Sequence, residues 1–84
     1  MTKFKICGLT TCQEAEWVSE VQADYAGMVL FFPKSKRNIS VTQAEKIIQA
    51  LPDEIKSVAV VVSPDTDQIR QLEKAGFDLI QIHG

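Results

Sequence analysis

Histidine and cysteine are scarce in this sequence of 84 residues, which contains one histidine and two cysteines. Cys7 and Cys12 have a C-x4-C spacing, which fits neither a zinc ribbon nor a thioredoxin-type C-x2-C motif. Structural metal sites need more ligands than this set provides, so we expect no metal site. We also expect no disulfide between the two cysteines, because disulfides are rare in reducing compartments.

The sequence also lacks a charge excess and a long hydrophobic run. Nine Lys and Arg side chains stand against eleven Asp and Glu, giving a net charge of −2. This balance is unlike that of proteins that bind nucleic acids or membrane surfaces. No apolar run is long enough to cross a bilayer, and the start, MTKFKICGLT, lacks the hydrophobic stretch of a signal peptide. We therefore expect one small cytoplasmic domain over residues 1–84, with neither nucleic acid nor membrane as a partner.

What the sequence does contain is a regular alternation of strand-like and helix-like segments. Short apolar runs alternate with amphipathic segments that begin at a capping residue and end near Gly or Pro. Ala15, Val18 and Val21 share one face of the first helix, and Trp17 and Met28 are expected in the core. The predicted strands span residues 3–7, 25–31, 57–62 and 77–82, and the predicted helices run from about 11 to 22, 40 to 51 and 63 to 75.

One helix start carries a specific signal. Ser40 and Gln43 form a capping-box pattern, in which the serine side chain accepts from the backbone of Gln43 and the Gln43 side chain returns to the backbone of Ser40. The pattern follows the longest polar break in the sequence, FFPKSKRNIS, at residues 31–40.

The alternation predicts an α/β fold with a parallel sheet in βαβαβαβ order. Two architectures compete: a doubly wound sheet, with helices on both faces, and a (β/α)8 barrel, with all helices outside. Lys5 and Cys7 share one face of the first strand, and Gln81 and His83 share one face of the last, with isoleucines on the opposite face of each. Polar residues of this parity suit a barrel interior near its mouth, so the pattern favours the barrel.

The carboxyl ends of parallel strands lie on one rim, which brings together Cys7, loop 31–40, Ser63 and His83. Cys7 has two interpretations. It is either a small buried residue at a strand end, as free cysteines often are, or an ionisable thiol that acts as a base. Lys5 lies two residues away on the same face and would supply a positive charge.

Other residues of this rim also have two interpretations each. Arg37 is either part of a solvated basic loop or an anion clamp, because guanidinium binds carboxylate in bidentate fashion. His83 is either a substrate-binding residue or simply a terminal one. Gly8 lets the chain turn or lets a ligand approach closely.

Three stretches together resemble the phosphoribosylanthranilate isomerase family. They are KICGLT (5–10), AGMVLFFPKSKRNIS (26–40) and DLIQIHG (78–84). Their order and spacing agree with the family across the whole chain. The combination of KICG-x-T, PKS-x-R and Q-x-HG is specific, whereas each motif alone would be weak.

The resemblance implies a (β/α)8 barrel that catalyses an Amadori rearrangement of N-(5-phosphoribosyl)anthranilate in tryptophan biosynthesis, without a metal or organic cofactor. A general acid protonates the ribose ring oxygen, and the ring opens to a Schiff base. A general base then removes the proton on C2, and the enolamine becomes a 1-deoxyribulose 5-phosphate product. Carried over by motif, Cys7 is the general base and Arg37 contacts the anthranilate carboxylate. Gln81 and His83 line the same mouth as substrate-binding residues.

The resemblance covers only the first half of the family's barrel, with four strands and three helices. The family's general acid, an aspartate at the end of the sixth strand, and its phosphate site after strands seven and eight have no counterpart in these 84 residues. We therefore expect little or no activity from this chain alone. A sheet with all helices on one side would leave a bare face and open edges, which favour pairing with a second copy or with a complementing C-terminal half. The alternative function is a non-catalytic half-barrel that serves as a binding or assembly module.

Overall fold

Strands and helices alternate along the chain in the computed structural model, which describes residues 5 to 83, the last of them by its backbone. This confirms the predicted α/β alternation and adds one short strand, β3, inside the polar break. Residues 3 and 4 of the predicted first strand, and Gly84, lie outside the described range. The strands are β1 (Lys5–Cys7), β2 (Tyr25–Leu30), β3 (Asn38–Ile39), β4 (Lys56–Val62) and β5 (Leu79–His83), and the helices are α1 (Cys12–Glu20), α2 (Val41–Ala50) and α3 (Thr66–Ala75).

All strands of the sheet are parallel, and their order is β1-β2-β4-β5, with β3 paired to β2. β1 pairs with residues 25–27 of β2, and β3 pairs with residues 29 and 30, so β3 continues the same edge. The main strands therefore add in chain order, as in a barrel, and the order never doubles back as in a doubly wound sheet. This confirms the barrel-like alternative.

One face of the sheet, here called the covered face, carries the core. Its residues are apolar and at most 1% exposed in the centre of the sheet, because all three helices pack against it. The predicted burial of Met28 is confirmed. The central members of the core are Ala26, Met28 and Leu30 of β2, Ala59 and Val61 of β4, and Ala15, Val18, Ala44, Ile47 and Leu72 of the helices.

Trp17, expected in the core, and Val21, expected on the apolar face of α1, lie at the surface instead. Trp17 is 55% exposed, because the buried stripe of α1 runs through Ala15 and Val18 and Trp17 projects beside it. Val21 is also exposed, because the helix ends at Glu20 and Val21 is already its C-terminal cap. The prediction of a buried Trp17 was wrong.

The opposite face, here called the open face, is formed by the odd-numbered residues of β1, β2 and β5 and the even-numbered residues of β4. It is less bare than expected, since Val58 is only 4% exposed. Lys5 Nζ on β1 donates a hydrogen bond of 2.5 Å to Gln81 Oε1 on β5. In a flat sheet these strands would lie about 14 Å apart, three strand spacings, so the sheet must curve towards the open face.

The register of β5 places Ile80 and Ile82 on the covered face, as predicted, but the two side chains differ in burial. Ile80 packs against the core, whereas Ile82 is 62% exposed, because none of the described residues covers it. None of the helices between residues 5 and 83 is long and apolar enough to cross a membrane.

The helix starts of α2 and α3 pair a capping residue with a glutamine three positions later, and they differ. At α2, Ser40 Oγ accepts from the backbone N–H of Gln43 at 3.1 Å, but the Gln43 side chain does not return to Ser40, so the predicted box is half formed. At α3 the box is complete: Asp65 Oδ1 accepts from Gln68 N at 2.8 Å, and Gln68 Oε1 accepts from Asp65 N at 3.1 Å. That second box was not predicted.

Candidate active site

A left-handed backbone conformation follows β1, β2 and β4 at the carboxyl rim of the sheet. Its φ angle is +88° at Gly8 after β1, +57° at Phe31 after β2 and +46° at Ser63 after β4. Glycine adopts this conformation freely, whereas Phe31 and Ser63 hold it against the steric preference of their side chains. Strained residues of this kind cluster where loops carry function, which marks this rim as the candidate site.

Cys7 ends β1 on this rim, and it is exposed. Its Sγ lies 3.0 Å, and its Cα 3.3 Å, from the point that a Cβ on Gly27 would occupy. Gly27 is the buried β2 residue paired with Cys7, and its missing side chain makes room for the thiol. The interpretation of Cys7 as a buried spacer is wrong, because the thiol is accessible from the open side of the sheet.

The turn after Cys7 is closed against β2 and covered by Arg37. The backbone N–H groups of Gly8 and Leu9 both donate to Gly27 O, at 2.9 and 3.1 Å. Arg37 Nη1 donates to Gly8 O at 3.3 Å. The positive φ favours glycine here, and a Cβ on Gly8 would stand 2.6 Å from that nitrogen, so a side chain would displace the guanidinium. The structure therefore places Arg37 on the residue that directly follows the catalytic candidate Cys7.

A carboxylate from α1 holds the next part of the turn. Glu14 Oε1 accepts from the Thr10 hydroxyl at 2.7 Å, from the Thr10 backbone N–H at 3.1 Å and from the Thr11 hydroxyl at 3.4 Å. The Thr10 hydroxyl bond, with the other two donors and the positive charge of Arg37, lowers the pKa of Glu14 although partial burial opposes the shift. Glu14 is therefore a charged anchor for the segment that leads out of β1.

Gln43 holds the same segment from α2. Its Nε2 donates to Thr10 O at 3.0 Å, so both backbone groups of Thr10 have side-chain partners from separate helices. Sequence reasoning missed Glu14 and the close approach at Gly27. The spacing of Thr11 and Glu14 fits a capping-box pattern and could have indicated the first of these.

Gln81 lies on the open face of β5, where it pairs with Val60 and binds the Lys5 ammonium. These side chains border a depression of about 340 Å³, lined by Lys5, Tyr25, Val58, Leu79, Ile80 and Gln81. His83 ends β5 opposite Val62 on the same rim, but its side chain lies outside what the structure describes. The structure thus brings Arg37 to the turn that follows Cys7. Gln81 lies on the same face of the sheet as Cys7 and is hydrogen-bonded to Lys5. Among residues 5–83, no three His, Cys, Asp or Glu side chains gather as they would around a metal ion.

The family model described as N-(5'phosphoribosyl)anthranilate (PRA) isomerase matches residues 4–84. The chain belongs to this family. A curated relative, the N-(5'-phosphoribosyl)anthranilate isomerase of Streptococcus mutans, is 41% identical over 85 aligned residues, which cover all of this chain and 43% of the relative. The chain therefore spans less than half the length of the phosphoribosylanthranilate isomerases that it matches.

Solved structures of phosphoribosylanthranilate isomerases confirm the fold. Monomers generated from the dimeric Thermotoga maritima enzyme match the whole chain with a TM-score of 0.89 and 38% identity, over 42% of their own length. A phosphoribosylanthranilate isomerase in complex with reduced 1-(o-carboxyphenylamino)-1-deoxyribulose 5-phosphate matches with a TM-score of 0.92 and 35% identity, over 43% of its length. The parallel β/α arrangement of this chain is thus that of the first strands of the family's barrel.

Proposed function

We propose that this chain supplies the Cys7 half of a phosphoribosylanthranilate isomerase active site. The activity is the Amadori rearrangement of N-(5-phosphoribosyl)anthranilate to the 1-deoxyribulose 5-phosphate product. The observation that carries the proposal is the contact of Arg37 with the carbonyl of Gly8, the residue that follows the exposed Cys7 at the strand rim. A base and an anion clamp are what a substrate with an acidic proton and a carboxylate requires.

Cys7 acts as the general base in this proposal. Its sulfur removes the C2 proton of the ring-opened, N-protonated Schiff base. The C2–H electron pair forms the C1=C2 bond, and the C1=N electron pair moves to nitrogen, which becomes a neutral amine. The resulting enolamine then becomes the ketone product. The exposed Sγ beside the bare backbone of Gly27 leaves space for the reacting carbons next to the thiol.

Arg37 binds the anthranilate carboxylate. Among the described residues its guanidinium has one hydrogen-bond partner, Gly8 O, so its other N–H groups can form the bidentate pair that carboxylates favour. Gln81 and His83 contribute to substrate binding at the mouth. The position of Gln81 on the open face supports its part of this assignment.

We further propose that the open face is completed by a second, C-terminal half-barrel, which supplies the general acid and the phosphate site. The Lys5–Gln81 contact shows that the sheet is curved, and a curved sheet can continue into a closed barrel. The curvature therefore supports a half-barrel as the partner of the open face. The 43% coverage of the Streptococcus mutans relative supports it independently. Pairing of two copies of this chain is the competing arrangement.

The test is complementation. The chain is mixed with the part of the Streptococcus mutans relative that follows the matched segment, and conversion of N-(5-phosphoribosyl)anthranilate is measured. We expect activity only in the mixture, and a loss of about 100-fold or more with Cys7→Ser, because general-base catalysis contributes that much. Cys12→Ser is the matched control, since Cys12 is the other exposed thiol and lies on α1.

Equal activity of the Cys7→Ser and Cys12→Ser mixtures would refute the role of Cys7. A mixture that is inactive with the unmodified chain would refute the catalytic proposal. Calorimetric binding of reduced 1-(o-carboxyphenylamino)-1-deoxyribulose 5-phosphate to the chain would then identify the alternative, a non-catalytic binding module.

A further inference from the structure

Two helices of this chain begin with the same capping pattern but use its third-position glutamine differently. In α3, Gln68 returns to the backbone of Asp65 and completes the box. In α2, Gln43 leaves the backbone of Ser40 without that return bond and reaches a residue 33 positions earlier, Thr10. The Gln43 side chain therefore stabilises the backbone at Thr10 and not the start of its own helix.

The distant position is the segment that leads out of β1. Glu14 accepts from Thr10 N and Gln43 donates to Thr10 O, so α1 and α2 hold the two ends of one residue's backbone. Thr10 is three residues from Cys7. The intervening turn has little freedom once Thr10 is held, because Gly8 N and Leu9 N are both tied to Gly27 O.

The pair of contacts that Glu14 and Gln43 make with Thr10, here called the clamp, also involves Arg37. Glu14 carries a negative charge that attracts the guanidinium, and the guanidinium in turn donates to Gly8 O. The two groups assigned to the reaction therefore share one turn: Cys7 precedes it, and Arg37 donates to its first carbonyl.

We propose that Glu14 and Gln43 are positioning residues for this site, which clamp Thr10 from two helices and thereby hold the turn between Cys7 and Arg37 in place. The inference rests on the proposed function for its effect on catalysis. Its structural part, that the clamp rigidifies the turn, can be measured on the chain itself.

Gln43→Glu separates positioning from ordinary stabilisation. A glutamate at the third helical position can accept from Ser40 N and complete the cap, and its negative charge suits the helix N-terminus. The same glutamate cannot donate to Thr10 O and stands near Glu14. We therefore expect an unfolding midpoint equal to or above that of the unmodified chain, but about a tenfold lower kcat/KM in the complemented enzyme.

Gln43→Lys reverses both effects. Lysine restores a donor for Thr10 O but places a positive charge at the helix N-terminus, where it is unfavourable. We expect a lower unfolding midpoint together with kcat/KM closer to that of the unmodified enzyme. A purely structural role could not produce opposite orders of stability and activity in these two variants.

Gln68→Glu is the matched control, because it makes the same change at the same position of α3, where the glutamine serves its own helix. It should leave kcat/KM unchanged. Hydrogen exchange gives the second readout on the chain alone: Gln43→Glu should speed exchange of the Gly8, Leu9 and Thr10 amides about tenfold, whereas Gln68→Glu should not.

Two results would overturn the inference. One is a Gln43→Glu variant with unchanged amide exchange in residues 8–10, and the other is activity that merely follows stability across the three variants. If the unmodified chain is inactive with the second half, the proposed function fails on its own, and amide exchange still decides whether the clamp holds the turn.

Discussion

The covered and open faces of the sheet are built from the same strands but are held in different ways. On the covered face, Met28 and Leu30 are completely buried against three helices. On the open face and its rim, Lys5 and Cys7 are exposed, and the polar contacts are hydrogen bonds of Lys5 with Gln81 and of Arg37 with the Gly8 carbonyl. Apolar burial supplies most of the folding free energy, whereas side-chain hydrogen bonds supply position. The covered face therefore stabilises the chain, and the open face arranges its chemistry.

The largest expected effect is a difference between the two faces in how much a truncated side chain lowers the free energy of unfolding. Met28→Ala removes a fully buried side chain from the covered face and should lower the free energy of unfolding by about 2–5 kcal/mol. Val60→Ala removes a half-buried side chain from the open face of the neighbouring strand and should cost about 1 kcal/mol or less. Urea unfolding of both variants measures the difference. Equal costs would show that the open face is as well packed as the covered one.

The next effect concerns association. Leu79 is 48% exposed on the open face, and Leu79→Lys should weaken binding of the C-terminal half at least tenfold, because a charge would be buried in the completed barrel. Trp17→Lys is the control, since Trp17 is similarly exposed on the helical side. Sedimentation velocity of the mixtures measures binding. Weakening by Trp17→Lys but not by Leu79→Lys would place the interface on the helices instead.

The covered face was more predictable from sequence than the open one, for a physical reason. Strand and helix periodicities reflect which residues are buried. The pattern therefore predicted the alternation of strands and helices, the burial of Met28, and the placement of Lys5 and Cys7 on the face opposite Ile6. Trp17 failed because a large apolar residue can lie beside a helix's buried stripe, and residue type alone does not reveal this.

The contacts that arrange the rim were less predictable, because they join residues far apart in sequence. Ser40 and Gln43 have the local signature of a capping box, yet the Gln43 amide is used 33 residues away. The approach of Arg37 to Gly8 spans 29 residues and leaves no local pattern. Motif resemblance could name Cys7 and Arg37, but only the folded chain shows that one turn joins them.

The smallest effect tests whether charge, and not only shape, holds the rim. The Thr10 hydroxyl and the other donors lower the pKa of Glu14, so its carboxylate contributes stability that is fully present above its ordinary pKa. That contribution is lost as the pH falls through the lower pKa of the folded state. We expect Glu14→Gln to be less stable than the unmodified chain near pH 7, by less than Met28→Ala, and the gap to close in acid. Met28→Ala should show no such dependence, since Met28 is an apolar side chain in the core of the covered face.

Urea unfolding of the two proteins over a series of pH values measures this gap. Glu16→Gln is the matched control: Glu16 is exposed on the same helix, and its carboxylate has no partner among the described residues. Its gap should stay near zero throughout. A Glu14→Gln gap that stayed constant down to the lowest pH would mean that the turn is held by the geometry of the Thr10 contacts alone. The charge that links Glu14 to Arg37 would then have no part in arranging the open face.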